Sequence, residues 1–89
     1  MLKAIYLNGF KKQVKLAQKR GLKMHLLDEI IIKIANQEPL PQKNREHFLV
    51  GEFRGCKECH IQPDWLLIYE VLDDEVIFVA TGTHADLFE

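Results

Sequence analysis

Three of the four histidines lie in the second half of the chain, among residues that favour strands. His47, His60 and His84 each fall at the predicted edge of a strand or in a connection, outside the long apolar runs. Imidazole has an unperturbed pKa of about 6.5, so it can accept or donate a proton at neutral pH. The pattern predicts acid-base chemistry if the three rings meet. Spacing alone leaves open the alternative that each is a separate surface or structural residue.

Two further residues could join such a site. Asp64 lies in a predicted turn between Pro63 and Trp65, so its carboxylate could stand beside His60, although aspartate is also a common turn former. Phe88 lies near the C-terminus with Leu87 as its apolar neighbour. An aromatic ring there could stack on an RNA base or attach the tail to the core.

The segment Cys56-Lys57-Glu58-Cys59-His60 has the spacing of a c-type haem attachment motif. We reject haem because no export signal is seen and the segment is predicted to be a strand, where residues three apart point to opposite faces. A zinc site is disfavoured because no second cysteine pair supplies the remaining ligands. We therefore expect two reduced structural thiols, with no metal and no cofactor.

Charge is segregated along the chain, although the net charge is only −1. Residues 1–27 carry seven cations and no carboxylate, whereas residues 46–89 carry ten carboxylates and two cations. Blocks of like charge are usually solvated faces, and phosphate binding by the basic block is the alternative. No apolar run reaches the roughly 18 residues that a membrane span needs. We expect a cytoplasmic protein without a membrane partner.

The N-terminal half is predicted to be a strand followed by two helices. The strand covers residues 2–7, and the first helix covers residues 8–20, with Asn8 as its N-cap and Gly21 ending it. Its buried stripe is formed by Phe10, Val14 and Ala17. Its cationic face is formed by Lys11, Lys15, Lys19 and Arg20.

The second helix is predicted over residues 24–36, with Asp28 and Glu29 near its start, where the helix dipole favours anions. Its buried face is formed by Leu27, Ile30, Ile31 and Ile34. Four strands are then predicted over residues 48–50, 53–61, 65–72 and 75–80. The run Trp65–Tyr69 is apolar on both faces, which predicts a central strand.

This order of elements, β-α-α-β-β-β-β, predicts an α+β fold of one domain covering residues 1–89. The two N-terminal helices are expected to pack on one face of a mostly antiparallel sheet. The histidines would then lie on the sheet or at its edges.

Four segments resemble the YafQ toxins of the RelE/ParE superfamily in order and spacing. They are residues 15–20 (KLAQKR), 47–51 (HFLVG), 58–69 (ECHIQPDWLLIY) and 81–88 (TGTHADLF). The resemblance covers nearly the whole chain. It implies a RelE-like fold with a curved sheet, and a toxin of a type II toxin-antitoxin system that cuts mRNA on the ribosome without a metal. Its implied partners are the ribosome, mRNA and a cognate antitoxin, expected to be of the ribbon-helix-helix type.

The resemblance also implies the site residues. The catalytic residues would be His47, His60, Asp64 and His84, while Phe88 would contact mRNA and Glu58 matches a position where an acidic residue is implicated. We expect His60 with Asp64 to act as the base, His84 as the acid, and His47 with Lys57 to hold the phosphate. The row Lys11, Lys15, Lys19 and Arg20 would anchor the protein to ribosomal RNA.

Some positions depart from the family pattern, notably Phe48, Cys56 and Lys57. Lysine at position 57 keeps a positive charge but lacks the bidentate fork of arginine. Two alternatives therefore stay open. One is a ParE-like gyrase inhibitor, and the other is a non-catalytic RNA-binding module that uses the Lys11 to Arg20 face.

Overall fold

The N-terminal strand and two helices lie where the sequence predicts them in the computed structural model, which describes residues 1–88. β1 covers Lys3–Tyr6, α1 covers Asn8–Lys19 and α2 covers Met24–Ala35. Gly21 ends α1 with a φ of 78°, and the Leu22 amide donates to the Ala17 carbonyl. A left-handed glycine that satisfies the last carbonyls of a helix is a common way for a helix to end.

Two details predicted for the helix starts are wrong. Leu7 is the N-cap of α1, so Asn8 is already its first helical residue, and no side chain caps this end. Asp28 and Glu29 lie beyond the first turn of α2. The burial of apolar side chains, which depends on the whole face of each helix, sets the position of these helices more strongly than a favourable first residue.

The remaining strands are β2 (His47–Phe48), β3 (Lys57–Gln62), β4 (Trp65–Val71) and β5 (Glu75–Gly82). They form one sheet in the order β1-β5-β4-β3-β2. Within residues 1–88, only the β1–β5 pair is parallel. The sheet is therefore mostly antiparallel, with β4 as its central strand, and the predicted α+β class is confirmed.

The core lies between the two long helices and one face of the sheet. Its helical side is formed by Phe10, Ala17, Leu27, Ile30 and Ile34. Its sheet side is formed by Cys59, Trp65, Leu67, Tyr69, Val76 and Phe78. Val14 and Ile31, which were also predicted to face inward, are half-buried and pack against this core. The opposite face of β4 carries Leu66 and Ile68, which are also fully buried.

The segments around β2 and the C-terminus differ from the prediction. β2 and β3 are shorter than expected, because Gly51 and Gly55 adopt φ values of 76° and 93° and turn the chain between them. Short 3₁₀ helices cover Gln42–Asn44 and Gly51–Phe53. The tail forms a third helix, α3 (His84–Phe88), which packs against β5 and was not predicted.

Both cysteines are free thiols, as predicted. Cys59 is fully buried in the core, and this burial raises its pKa to about 12. A thiol in this environment stays protonated and unreactive at neutral pH. Among the helices that the structure describes, none has the length and apolar character needed to cross a membrane.

Candidate active site

His84 and Asp64 form the most exposed part of the candidate site. The Nδ1 atom of His84 lies 2.8 Å from Oδ1 of Asp64, and the His84 backbone amide donates to the same oxygen at 2.9 Å. These bonds hold the pKa of Asp64 below its usual value, with the backbone bond as the larger cause. Because a carboxylate only accepts, Nδ1 of His84 carries the proton, and Nε2 is left unprotonated in the neutral ring.

Glu58 lies between the other two histidines. Its Oε1 atom is 3.4 Å from Nε2 of His47 and 3.6 Å from Nε2 of His60. The Glu58 side chain is only 6% exposed, whereas that of His47 is 49% exposed. Glu58 is therefore a buried carboxylate behind two imidazoles, and it is poorly placed to contact RNA directly.

The Nδ1 atoms of these two histidines also face acceptors. The His47 Nδ1 is 2.7 Å from the Arg45 carbonyl oxygen, and the His60 Nδ1 is 3.3 Å from the Pro63 carbonyl oxygen. Each ring therefore lies between a backbone carbonyl oxygen and the Glu58 carboxylate, and these neighbours orient it.

Two groups of side chains meet on the sheet face that does not carry the long helices. One is the Asp64–His84 pair, and the other is Glu58 with His47 and His60. Glu58 and His60 alternate along β3 with Cys59, whose side chain is in the core. The hairpin of β4 and β5 pairs Leu66 with Gly82, which brings the start of α3 beside the turn after β3. As a result the His60 and His84 rings lie 5.8 Å apart between centroids. The structure brings all three predicted histidines and Asp64 into one cluster.

One predicted pairing is wrong. Asp64 was expected to assist His60, its close neighbour in sequence, but its side chain binds His84. The carbonyl of Pro63 takes the position opposite the His60 ring instead. The reason is that the tight turn between β3 and β4 directs Asp64 toward the end of β5 and the start of α3.

Lys57 does not join the cluster. It pairs with Phe48 and Tyr69 across the sheet, and its ammonium lies 5.0 Å from the centre of the Phe48 ring. Because it alternates with Glu58 along β3, it lies on the opposite face of the sheet. The predicted phosphate contact of Lys57 beside His47 is therefore not supported by its position.

Phe88 ends α3 next to His84. Its ring is 6.4 Å from the His84 ring and makes an edge contact with Phe53 at 5.8 Å. The side chain remains 46% exposed. Phe88 therefore has both a contact that holds it and a free surface on which a base could stack.

The predicted basic row divides into two kinds of residue. Lys11, Lys15 and Lys19 are exposed, and in residues 1–88 they form no ion pair. Arg20 differs, because it forms a bidentate ion pair with Asp86 of α3. The row runs about 12 Å along α1, at 1.5 Å per residue, toward the end of the helix that contacts α3.

Two cations near the site were missed by sequence reasoning. Lys43 and Arg45 are exposed and line a cleft of about 490 Å³ that also contacts His60. The segment between α2 and β2 is held there because the Asn44 side-chain amide donates to the His60 carbonyl oxygen at 2.7 Å. Their only sequence signal was a pair of cations shortly before His47, which did not indicate where this loop would lie.

A second network attaches the site to α1. The Trp65 indole donates to the Thr81 hydroxyl, which in turn donates to the Leu66 carbonyl. The Thr81 amide donates to Oε1 of Gln13 on α1. These bonds fix the ends of β4 and β5 next to Asp64 and His84, so the cluster stands on rigid elements.

This arrangement is suited to proton transfer around a phosphodiester. It combines an imidazole with a free Nε2, two imidazoles beside a buried carboxylate, and nearby cations on a cleft. Among residues 1–88, no three His, Cys, Asp or Glu side chains are arranged to bind one metal ion.

Comparison with known proteins shows the family of the chain. Residues 2–89 match the family described as bacterial toxin of type II toxin-antitoxin system, YafQ. The chain is 43% identical over 84 residues to the mRNA interferase toxin YafQ of Escherichia coli K12, a match that covers 93% of this chain and 91% of the relative.

Two solved structures extend the comparison. The E. coli DinJ-YafQ toxin-antitoxin complex contains a chain that superposes with a TM-score of 0.91 at 39% identity, covering 99% of this chain and 98% of the other. A metal-bound toxin from Helicobacter pylori superposes with a TM-score of 0.92 at 32% identity, covering 99% and 100%. With the family match over residues 2–89, these likenesses show that the chain belongs to the YafQ family of toxins of type II toxin-antitoxin systems.

Proposed function

We propose that this chain is an endoribonuclease that cuts mRNA on the ribosome. The observation that carries the proposal is the cluster formed by His47, Glu58 and His60 with the Asp64–His84 pair. Cutting RNA without a metal requires a base for the 2′-hydroxyl, an acid for the leaving 5′-oxygen and donors for the phosphoryl oxygens. The cluster contains a candidate for each role, and the E. coli relative is named an mRNA interferase.

His84 is the proposed base. Asp64 holds the proton on Nδ1 and leaves Nε2 as an acceptor, so the neutral ring can take the proton of a 2′-hydroxyl. His60 is the proposed acid, because its ring lies 5.8 Å from the ring of His84 and lines the cationic cleft. These assignments exchange the roles that the sequence suggested, since Asp64 assists His84 and not His60.

The reaction proposed here needs no water as nucleophile. The 2′-oxygen attacks the adjacent phosphorus as His84 removes its proton, and the bond from phosphorus to the 5′-oxygen breaks as His60 donates a proton. The products are a 2′,3′-cyclic phosphate and a 5′-hydroxyl. His47, at the exposed end of the cluster, would donate to a phosphoryl oxygen, where charge develops in the transition state.

The substrate would be held by groups around the cluster. Phe88 offers a half-exposed ring for a base beside His84, and Lys43 and Arg45 offer positive charge on the cleft beside His60. The exposed lysines of α1 would contact ribosomal RNA phosphates. The proposed setting is the bacterial cytoplasm, where translating ribosomes and mRNA meet.

The proposed protein partner is a cognate antitoxin, expected to be of the ribbon-helix-helix type. A relative with 39% identity is described in complex with its antitoxin. The charge distribution of this chain supports contact with an acidic segment, since residues 1–27 contain cations and no carboxylate.

The first experiment tests the nucleophile. Ribosomes carrying a defined mRNA are mixed with the protein, and the ribose 5′ to the cut is replaced by deoxyribose. We expect cleavage of the all-ribose message, with a 2′,3′-cyclic or 3′-phosphate end, and no cleavage of the substituted message. Cleavage of the substituted message would show that water is the nucleophile and would overturn the assignment of His84.

The second experiment separates acid from base. A message with sulfur in place of the leaving 5′-oxygen needs little protonation when the bond breaks. We expect this substrate to restore cleavage by His60→Ala but not by His84→Ala. Restoration of His84→Ala instead would reverse the two roles.

The third experiment concerns metal, because the H. pylori relative is described as metal-bound. The proposed chemistry uses side chains only, so cleavage of a minimal RNA that needs no magnesium for its own structure should continue in EDTA. Loss of that cleavage, and its return with added metal, would contradict the mechanism.

Two other outcomes would support the alternatives raised from the sequence. Inhibited gyrase supercoiling would support a ParE-like gyrase inhibitor, and RNA binding without cleavage would support a non-catalytic RNA-binding module.

A further inference from the structure

An ion pair joins the end of α1 to the C-terminal helix. The Arg20 guanidinium donates to both carboxylate oxygens of Asp86, at 2.7 Å and 3.2 Å. The two residues are 66 positions apart in sequence. A bidentate pair of this kind fixes orientation as well as distance, because two parallel hydrogen bonds restrict the planes of both groups.

Asp86 also caps the helix in which it lies. The Thr83 amide donates to Oδ2 of Asp86, and the Asp86 amide donates to the Thr83 hydroxyl, each at 3.0 Å. This reciprocal arrangement is a capping box, with aspartate in the place usually taken by glutamate. α3 covers five residues of the described part of the chain, and a helix this short is not stable without such support.

The backbone beside the cap leaves room for this arrangement. A Cβ atom placed on Gly82 would lie 2.9 Å from Oδ2 and 3.0 Å from Cβ of Asp86. Real Cβ atoms rarely approach other atoms so closely, so an alanine at position 82 would displace the Asp86 side chain. The Asp86 side chain therefore occupies space that a glycine at position 82 leaves free.

We propose that Arg20 and Asp86 are positioning residues that hold α3 so that His84 and Phe88 face the reacting phosphate. The proposal rests on the function proposed above. Its geometric basis is that α3 begins at His84, whose amide and ring both donate to Asp64, and ends at Phe88. A shift of α3 would disturb both residues, and misplacing catalytic groups by about 1 Å can cost about a hundredfold in rate.

This role replaces the RNA contact predicted for Arg20. Its guanidinium already binds Asp86, whereas Lys19 beside it is exposed and has no ion pair within the described part of the chain. Arg20 and the Thr83 amide hold the pKa of Asp86 well below its usual range. The ion pair therefore persists at neutral pH and in mildly acidic solution.

The test uses Arg20→Gln and Asp86→Asn, alone and together, with Lys23→Gln as the matched control. Lys23→Gln removes the same charge from an exposed residue shortly after α1, outside the row of lysines proposed to contact RNA. Asparagine at position 86 keeps an oxygen for the Thr83 amide, so it removes the charge but not the cap. Two readouts are measured: hydrogen exchange of the amides of residues 83–87, and kcat and KM for cleavage of ribosome-bound mRNA.

We expect Arg20→Gln and Asp86→Asn each to speed amide exchange in α3 by about fivefold, because the loss of one exposed ion pair has a modest effect on local stability. Each should lower kcat by about tenfold with little change in KM, because the catalytic group is misplaced while RNA binding is kept. The double variant should be no worse than either single variant. Lys23→Gln should leave exchange and kcat unchanged, and Arg20→Lys should recover part of both.

Two results would overturn the proposal. One is a rise of KM in Arg20→Gln that Asp86→Asn does not share, which is the signature of a direct RNA contact. The other is unchanged exchange in α3 in both variants. If the unmodified protein cleaves no RNA, the proposed function fails, while the exchange data still decide whether the ion pair holds α3.

Discussion

Glu58 is a carboxylate buried in the sheet, and its Oε1 atom lies 3.4 Å from Nε2 of His47 and 3.6 Å from Nε2 of His60, so it is placed to orient both rings. Replacing it with glutamine keeps the volume and removes the charge. We expect Glu58→Gln to lower the single-turnover cleavage rate by about ten- to hundredfold. This loss is equal to or smaller than the loss expected when a general acid or base is itself removed. The rate is measured on ribosome-bound mRNA after circular dichroism has shown a folded protein.

Glu52→Gln is the matched control for this prediction. Glu52 is exposed in the 3₁₀ helix before β3 and makes no ion pair within residues 1–88. It should keep the full cleavage rate. Equal rates for Glu58→Gln and Glu52→Gln would mean that the buried carboxylate plays no part in the reaction.

Residue types and family spacing were enough to select the members of the cluster, but not their partners. Asp64 and His60 are neighbours in sequence, and this suggested a pair. The actual pair, Asp64 with His84, depends on the β4–β5 hairpin, which brings position 82 opposite position 66. Side-chain partners across a sheet depend on register and on the direction of turns, and neither is visible in local sequence.

α1 presents its lysines as an exposed row, and its apolar stripe faces the core. We expect the double variant Lys15→Gln with Lys19→Gln to weaken ribosome binding. Because each phosphate contact on single-stranded RNA contributes about 0.7 to the slope of the log binding constant against log salt concentration, the loss of two contacts should reduce this slope by about 1.4. The slope is measured by titration at several salt concentrations. The double variant Lys3→Gln with Lys23→Gln removes the same charge at positions outside this row and should keep the slope. Equal slopes in the two double variants would contradict the predicted contact of the α1 lysines with RNA.

α3 carries Phe88 in contact with Phe53 and half-exposed beside His84. Phe88→Ala loses one aromatic pair, worth about 1 kcal/mol, so Tm should fall by only a few degrees. KM should rise several-fold if a base stacks on this ring. Phe48→Ala is the control, because Phe48 is even more exposed but lies beside Lys57 on the other face of the sheet. A fall in Tm without a change in KM would assign Phe88 to stability alone.

Hydrophobic periodicity was sufficient to place the two long helices and the central strand, because these elements are defined by continuous buried faces. The missed elements are short. α3 depends on a cap at Thr83, a glycine at position 82 and an ion pair to α1, and none of these produces a periodic signal. The shortened β2 and β3 follow from two left-handed glycines, which were not recognised as turn positions.

The charge of the whole molecule is nearly balanced, but its distribution is not. Cations concentrate on α1, while the candidate catalytic cluster lies on the other face of the sheet. An acidic antitoxin segment could therefore bind α1 without entering the cluster, and in doing so it would compete with ribosomal RNA for the same lysines. On this argument, inhibition should depend on blocking the approach to the ribosome as well as on covering the histidines.

A growth experiment tests this argument. Expression of the chain alone should stop growth, His84→Ala should not, and co-expression of the proposed cognate antitoxin should restore growth with the unmodified chain. His84→Ala should still bind the antitoxin with unchanged affinity, because the loss of an imidazole in the cluster does not alter α1. Lys15→Gln with Lys19→Gln should weaken that binding, most clearly at low salt, where exposed charges are least screened. Full antitoxin affinity in this lysine variant, together with lost affinity in His84→Ala, would place the antitoxin on the cluster and contradict binding at α1.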